Sequence, residues 1–585
     1  MNSEQLAMGR LLGFRDFFPN TRPLSKDAYA KLIGSDILYK FSAHFLSYFR
    51  LNAIPMNEQL LREWFTFNEV SFNRVPYYHY SMGQYKRLSR LGSITNLQIL
   101  SIESLLNLFV WLNEKKDIPE RVLKEDVTLT LPLFQLYLLF NDDVLRNYEV
   151  ARKSVEEYKG KDSLQRMLLA MSFPQNDFLN ADYAQLAVTQ FYKALMLLEY
   201  ISDQEEYQLL YRKFLEEYYC STKEEFLRSI GTAVVLPLKN TQPGWSVLNV
   251  PQGPMFERDC SFLEKITVQS DDATLYEQND YLSLRTNPLQ KLKKGEYRII
   301  YDQFLLKKVY NGLIFILSGL VKADKSLFPK DFLGTIRNDF SEGVLLYEVL
   351  KSIYSRRKVF SASGKEFKSV GIDREPDYYI RDSQSVLLFE SKDFFIPGDV
   401  KLSYDFRKIE EALKNNRLEK AIKQLIRNVE RVLLKGLKLD QDYCVNEVTI
   451  HPIIIVHDSL YSAPALNYWV HFWFEDGLAA LQQKKELKDF DFFRVFPVTV
   501  VEVDTLIFYE EQFIQGQLNL ETLIQQYHAF VNFRKQEFLS RDEIETHALQ
   551  SAIPFAEFVR QESYRQKVEL SLEKLFKLFG KFGII

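Results

Sequence analysis

Glu375-Pro-Asp377-Tyr-Tyr-Ile380, followed after Arg381-Asp-Ser-Gln-Ser385 by Leu387-Leu-Phe-Glu390-Ser-Lys392-Asp393, decides the reading of the C-terminal half of the chain. Both runs are short, apolar and aromatic, as strands are, and the polar interval between them reads as a turn. Side chains alternate along a strand, so Glu390 and Lys392 share a face with Val386 and Leu388, while Phe389 and Ser391 point the other way. A hairpin through 381–385 sets Asp377 across from Glu390.

Two carboxylates and a lysine on one sheet face match the needs of phosphodiester hydrolysis. That reaction takes an in-line water, a means of deprotonating it, and positive charge near the phosphorus and the leaving oxygen. Carboxylates supply this by holding Mg²⁺ or Mn²⁺, hard cations that need few protein oxygens and keep several waters. A lysine beside them orients the water or offsets developing charge. A third carboxylate often completes such a site. A helix expected over 339–355 offers Glu342 and Glu348. Glu342 falls near the expected N-terminus, where Asn338 or Ser341 is placed to cap and the dipole favours an acid. Glu348 sits mid-helix among apolar residues without that explanation, and is the preferred third ligand.

Outward from this stretch, short strands are expected near 357–360, 367–370, 376–381 and 386–392, then a long helix over 405–436 and a buried strand Val448–His457. Their main order is α-β-β-β-α-β. The run Phe493–Tyr509 suggests a further strand or two. Glu375-Pro-Asp377 with Glu390-Ser-Lys392 in this order resembles the PD-(D/E)xK, or restriction-endonuclease-like, nuclease superfamily, over roughly 331–510. The resemblance implies that Asp377 and Glu390 bind the metal, that Lys392 assists catalysis, and that Glu348 is the optional helix ligand. It also implies a role for Gln424 on the following helix. There Lys423, Arg427 and Arg431 recur every fourth residue and could track a phosphate backbone, or simply form a solvated face with the Glu419–Lys423 pair. Lys351, Arg356, Arg357 and Lys358 read equally as the lining of a DNA channel or as a solvated helix end, and His457-Asp458, at the end of the buried strand, reads first as a strand-end turn and second as a pair that could reach the site.

The rest of the 585 residues carries no chemistry on inspection. Residues 1–230 show helical periodicity at 102–115, 133–141, 164–171 and 184–199, and read as a scaffold or interaction domain. The stretch GTAVVLPLKNTQPGWSVLNVPQGP from Gly231 reads as strands and turns opening a small mixed α/β module over 231–330, with a strand at Tyr297–Tyr301 and a helix at Phe304–Val321. A helical extension is expected over 511–585. The fold class is therefore multidomain α+β.

Composition narrows the function classes. A net charge of −4 gives no global basic field, so binding to nucleic acid would rest on local patches. The 46 Phe and 33 Tyr read as bulky cores rather than base-stacking platforms. Cys220, Cys260 and Cys444 lie far apart in no metal-binding spacing, which speaks for reduced thiols. The opening MNSEQLAMGRLLGFRDFF lacks the apolar core of a signal peptide, and the longest apolar run, Leu313–Val321, is too short to span a bilayer. A cytoplasmic protein off the membrane is expected. A metal-dependent nuclease acting on nucleic acid, DNA ahead of RNA, is the leading function, and by resemblance alone bacterial defence against foreign DNA is its setting. A partner or second copy would engage the helical N-terminal region, and no GxxxxGK[ST] phosphate loop is present. The alternative is a catalytically silent nuclease-like fold kept as a scaffold or nucleic-acid-binding subunit.

Overall fold

The computed structural model describes residues 10–51, 54, 56–66, 76–91, 97–115, 117–120, 130–158, 162–178, 182–240, 242–268, 280–533, 540–568 and 573–583. Residues 1–9, where the expectation about a leader bears, lie outside these. The chain divides into two compact units. One comprises Ala151–Asp177 with Phe328–Glu573; the other comprises the described parts of Glu4–Val150, Phe178–Leu327 and Lys574–Ile585. No helix among the described residues is long and apolar enough to cross a membrane.

The four expected segments are thus regrouped. Residues 151–177, expected in the N-terminal scaffold, belong with the sheet-bearing unit. The Phe406 N–H donates to Ser154 Oγ at 3.0 Å, the Tyr468 hydroxyl to Asp162 Oδ1 at 2.8 Å, and Lys401 pairs with Asp177 at 2.8 Å. The helices Leu520–Val531, Arg541–Ser551 and Phe555–Arg565 also belong to this unit, while the last helix, Glu573–Lys581, falls almost wholly in the other. Residues 231–239 complete the helix Lys223–Lys239 rather than forming strands. Val234 and Val235 are buried on the helix, so packing overrides strand propensity. The expected middle module survives as a three-stranded antiparallel sheet, in which Glu296–Ile299 lies between Val247–Asn249 and Leu289–Lys293, within the mostly helical unit. The aromatics of that unit fill its core: Phe41, Phe45, Trp64, Phe134 and Tyr137 meet ring to ring.

The other unit is organised by a five-stranded mixed sheet. Its strands are β1 Phe360–Ser363, β2 Tyr378–Asp382, β3 Ser385–Lys392, β4 Thr449–Val456 and β5 Thr499–Glu502, ordered in space as in sequence. β2 is antiparallel to both β1 and β3; β3, β4 and β5 are parallel. The parallel joins need crossovers. Helix α1, Glu419–Leu433, precedes β4, and helix α2, Leu466–Gln482, precedes β5. α1 turns Ala421, Ile422, Leu425, Val429, Val432 and Leu433 inward and packs on β3, β4 and α2. Gly477 of α2 allows the close approach: a Cβ there would stand 3.1 Å from Ile426 Cγ1. Covered this way, the inner strands read as near-continuous apolar runs. Val386–Phe389 and Ile453–Val456 are all fully buried, each side chain contributing about 1.5–3 kcal/mol.

Local differences from expectation have local causes. The expected strand at 367–370 is the short helix Gly364–Ser369, started by Ser363 and Glu366 in a reciprocal capping box. Phe493–Tyr509 holds one strand, β5, followed by the helix Val503–Phe508. The helix expected over 339–355 begins earlier, at Phe332, and runs to Ile353 with a π-helical stretch over Ile336–Leu346. Residue 342 is therefore well inside the helix, and the expected cap at Asn338 or Ser341 does not exist.

Candidate active site

The site lies where β3 ends. Tyr378 pairs with Phe389, so the next pair outward sets Asp377 beside Glu390. Asp377 is fixed by three backbone contacts. Its N–H donates to the Phe389 carbonyl at 3.0 Å, its carbonyl accepts from the Gly364 N–H at 3.0 Å, and its Oδ2 accepts from the Ser391 N–H at 2.6 Å. Glu390 is fully buried because β3 is an inner strand flanked by β2 and β4. A solvated edge pair, the ordinary reading of Glu-x-Lys on a strand, is thereby excluded. Lys392 Nζ donates to Glu390 Oε1 at 2.6 Å and to the Ser391 carbonyl at 2.9 Å. Glu390 Oε2 is buried without a hydrogen-bond partner.

Glu342 joins this group and Glu348 does not. Glu342 is half-buried and hydrogen-bonded to Asp377, whereas Glu348 is exposed. Six residues apart on an α-helix, the two positions differ by about 240° around the axis, so only one can face the sheet. The π-helical stretch that carries Glu342 further resets its facing, and such widened turns recur at functional sites. Two other residues, to which the sequence reading assigned no role in the site, complete the surroundings. Glu375 is buried and pairs through Oε1 with Lys368 Nζ at 2.9 Å, while its Oε2 has no hydrogen-bond partner. Lys368, from the capped helix Gly364–Ser369, is exposed enough to reach the mouth of the site. Glu375 was legible as the residue before Pro-Asp. Lys368 was hidden by the misassigned strand at 367–370.

Four carboxylates (Glu342, Glu375, Asp377, Glu390) thus face two ammonium groups (Lys368, Lys392), an excess of two negative charges if all ionise. The proton affinities report the crowding. Burial and then the neighbouring Asp377 carboxylate push Glu342 up to about 8. Burial and then Asp377 hold Glu390 well above the usual carboxylate range. Burial raises Asp377 too, against the pull of Lys392 and the Ser391 N–H. Burial alone would lower Lys392, but Glu390 and Asp377 outweigh it and keep the ammonium charged. On the opposite face of β3, Ser391 Oγ meets His457 Nε2 at 2.8 Å, both buried, and the Asp458 carboxylate accepts from the Leu460 N–H at 2.8 Å.

The basic residues expected along α1 are mostly engaged. Lys423 pairs with Glu419 at 2.8 Å on the surface. Arg431 donates to the Asp373 and Arg374 carbonyls at 2.6 and 2.9 Å, tying α1 to the loop that carries Glu375. Arg427 lies close enough to Arg431 to depress that guanidinium, whose burial acts first. Gln424 has its Oε1 buried without a partner. Arg357 is held by Asp382 and Glu521 and is not free to line a channel.

Among the described residues no group of three or more His, Cys, Asp or Glu side chains is arranged to hold a metal ion. In this arrangement the Lys392 ammonium occupies one Glu390 oxygen and Glu342 is hydrogen-bonded to Asp377. The donor set nonetheless fits a hard divalent cation. It is all oxygen, it is electron-rich, and it includes an orphaned buried carboxylate oxygen on Glu390. Mg²⁺ needs only one or two protein carboxylates and keeps its waters. Comparison of the chain with protein-family models, curated proteins and solved structures finds no match.

Proposed function

We propose that the protein is a Mg²⁺- or Mn²⁺-dependent nuclease hydrolysing phosphodiester bonds, DNA ahead of RNA, on a restriction-endonuclease-like fold. The observation that carries this is the convergence of Asp377, Glu390 and Glu342 around Lys392 at the end of a buried parallel strand. Open α/β sheets bind ligands at such strand ends. Asp377, Glu390 and Glu342 are the residues that would hold the cation. When bound, it supplies a water of lowered pKa and positive charge against the phosphate.

The chain's own residues divide the remaining work. Lys392 stays protonated, so it acts as a hydrogen-bond donor and fixed positive charge toward a phosphoryl oxygen or the attacking water, not as a base. The three backbone contacts of Asp377 hold its carboxylate without help from mobile side chains. Lys368 at the mouth meets an incoming anion with an exposed ammonium. The His457–Ser391 contact braces the strand between Glu390 and Lys392 from behind.

The test is a panel of single- and double-stranded DNA and RNA with Mg²⁺ or Mn²⁺, run beside Lys392→Ala and a chelator control. Cleavage that needs the cation and falls about a hundredfold or more in Lys392→Ala is expected. Cleavage at the wild-type rate by a folded Lys392→Ala protein refutes the assignment. Intact nucleic-acid binding with neither cleavage nor cation binding instead identifies a silent binding module.

A further inference from the structure

The strand that carries Glu390 and Lys392 runs on into Asp393-Phe394-Phe395, a stretch held by its neighbours from two sides. Ser341 donates its hydroxyl to Asp393 Oδ2 at 2.7 Å. Tyr461 donates its hydroxyl to the Phe394 carbonyl at 2.7 Å and packs its ring on that of Phe394 at 4.5 Å. Each phenylalanine of the stretch carries a guanidinium. Arg337 Cζ lies 4.6 Å from the centre of the Phe395 ring, and Arg417 Cζ lies 5.0 Å from that of Phe394. Arg417 also donates to the Phe395 carbonyl.

These arginines stand beside the carboxylates. Ser341 and Glu342 follow Arg337 by four and five residues on the π-helical stretch Ile336–Leu346, whose bonds run from i to i+5, so the three lie on one side of it. Phe395 is three residues beyond Lys392, no more than about 11 Å along the chain. The Tyr461 hydroxyl feels both guanidiniums, which puts them in one neighbourhood. The acids it also feels, Asp458 and Asp393, accept from the Leu460 N–H and the Ser341 hydroxyl. On α1, Lys423 is tied to Glu419 and Arg431 to two backbone carbonyls. Arg337 is different: it is half-buried, and no acceptor among the described residues takes its N–H groups. The aromatic face fixes the plane of its guanidinium and leaves the donor edge for a ligand.

We propose that Arg337, backed by Arg417, is the substrate clamp of this site and grips the phosphate backbone of a nucleic-acid strand next to the bond being cut. This rests on the nuclease reading of the carboxylates. A planar guanidinium presents paired N–H donors that match two phosphate oxygens. Those oxygens are the same at every base, so the contact sets affinity and register without reading sequence. It supplies the local positive charge that a chain of net charge −4 needs to hold a polyanion, in place of the residues expected on α1.

The test is fluorescence anisotropy of the full chain with a labelled DNA strand and its duplex, in Ca²⁺, beside a cleavage assay in Mg²⁺. Wild-type binding should weaken about tenfold in Arg337→Ala, as loss of a charge-assisted contact does. The slope of log K against log salt should fall by about 0.7–0.9. Arg337→Lys should keep the slope and recover affinity only in part, because the charge remains and the fork does not. In the cleavage assay Arg337→Ala should raise KM about tenfold and leave kcat within about threefold, unlike Lys392→Ala. Arg337→Gln keeps the bulk and decides if the alanine variant does not fold. Unchanged affinity and slope in the folded variant overturn the clamp, as does displacement of the strand by micromolar inorganic phosphate; a wild type that still cleaves then leaves the nuclease reading standing. A wild type that neither binds nor cleaves overturns both. Binding that depends on Arg337 without any cleavage supports the clamp and assigns it to a silent binding module.

Discussion

Replacing Glu342 with glutamine should stabilise the sheet-bearing unit in the absence of divalent cation, and only above a definable pH. The group's folded pKa is raised from 4.5 to about 8, first by burial and then by Asp377. For a raised carboxyl the native state binds more protons than the unfolded state, so stability falls as pH rises from about 4.5 and the loss is complete above about 8. At about 1.36 kcal/mol per unit the full shift would be worth about 5 kcal/mol. Solvent reaches part of the side chain and Asp377 is hydrogen-bonded to it, so roughly half, ~2 kcal/mol, is the expected gain. Glutamine removes the ionisation yet keeps an N–H that can donate to Asp377. In a chelator-treated sample the melting midpoint of Glu342→Gln should match the wild type near pH 4.5 and exceed it by about 4–8 °C at pH 8.5. Adding Mg²⁺ should then raise the wild type more than the variant, because one ligand is gone. A variant no more stable than the wild type at pH 8.5, or a gain that is the same at both pH values, refutes the crowding of carboxylates around Asp377.

Two further outcomes separate local from remote effects. Glu348→Gln should leave cation-dependent cleavage and cation binding within about twofold of wild type, because the side chain is exposed; a tenfold loss in either titration would return the third ligand to that position. In the helical unit, the fully buried Glu103, bonded by the Tyr148 hydroxyl at 3.1 Å, is pushed up to about 8 by burial, partly opposed by that bond. Denaturation monitored between pH 5 and 8.5 should show the wild type losing up to about 5 kcal/mol that Glu103→Gln retains, and a flat wild-type profile would contradict this.

The placement of Asp377, Glu390 and Lys392 was legible because a strand's period is 2 and leaves little freedom. Once Leu387–Lys392 is a strand, Glu390 and Lys392 share a face, and the polar turn at 381–385 fixes Asp377 opposite. The third carboxylate was not legible. Its choice depends on where a helix starts and how it is wound, and the π-helical stretch Ile336–Leu346 has no marker in residue spacing. Lys368 was in principle readable, since Ser363-Gly-Lys-Glu366 before Phe367 is a capping-box pattern, but the β-rich context suggested a strand. The reading of 231–239 as strands failed for the reason such runs often fail: Val234 and Val235 are buried on a helix, and burial outweighs propensity. The regrouping of 151–177 rests on contacts to residues 400–470, which no local pattern announces.

The energetic pattern of the sheet-bearing unit argues that its carboxylate cluster is retained for something other than stability. Val386–Phe389 and Ile453–Val456 bury eight large apolar side chains next to the site, a gain of about 12–24 kcal/mol before chain entropy. Against this stand acids whose charged forms the fold disfavours: Glu390 with no solvent exposure, Asp377 pinned by backbone, Glu342 brought in by a widened helix. Apolar residues of similar volume would be cheaper at each of these positions. Local rules are broken together at one strand end and kept along the rest of the sheet, the distribution expected of a functional site. A divalent cation would relieve all three acids at once, whereas the two lysines, set against these three and Glu375, leave two negative charges over. The electrostatic cost is therefore also the binding energy available to the cation, and in a chelator-free titration the gain in stability on adding Mg²⁺ should shrink stepwise as Glu342, Asp377 and Glu390 are neutralised one at a time.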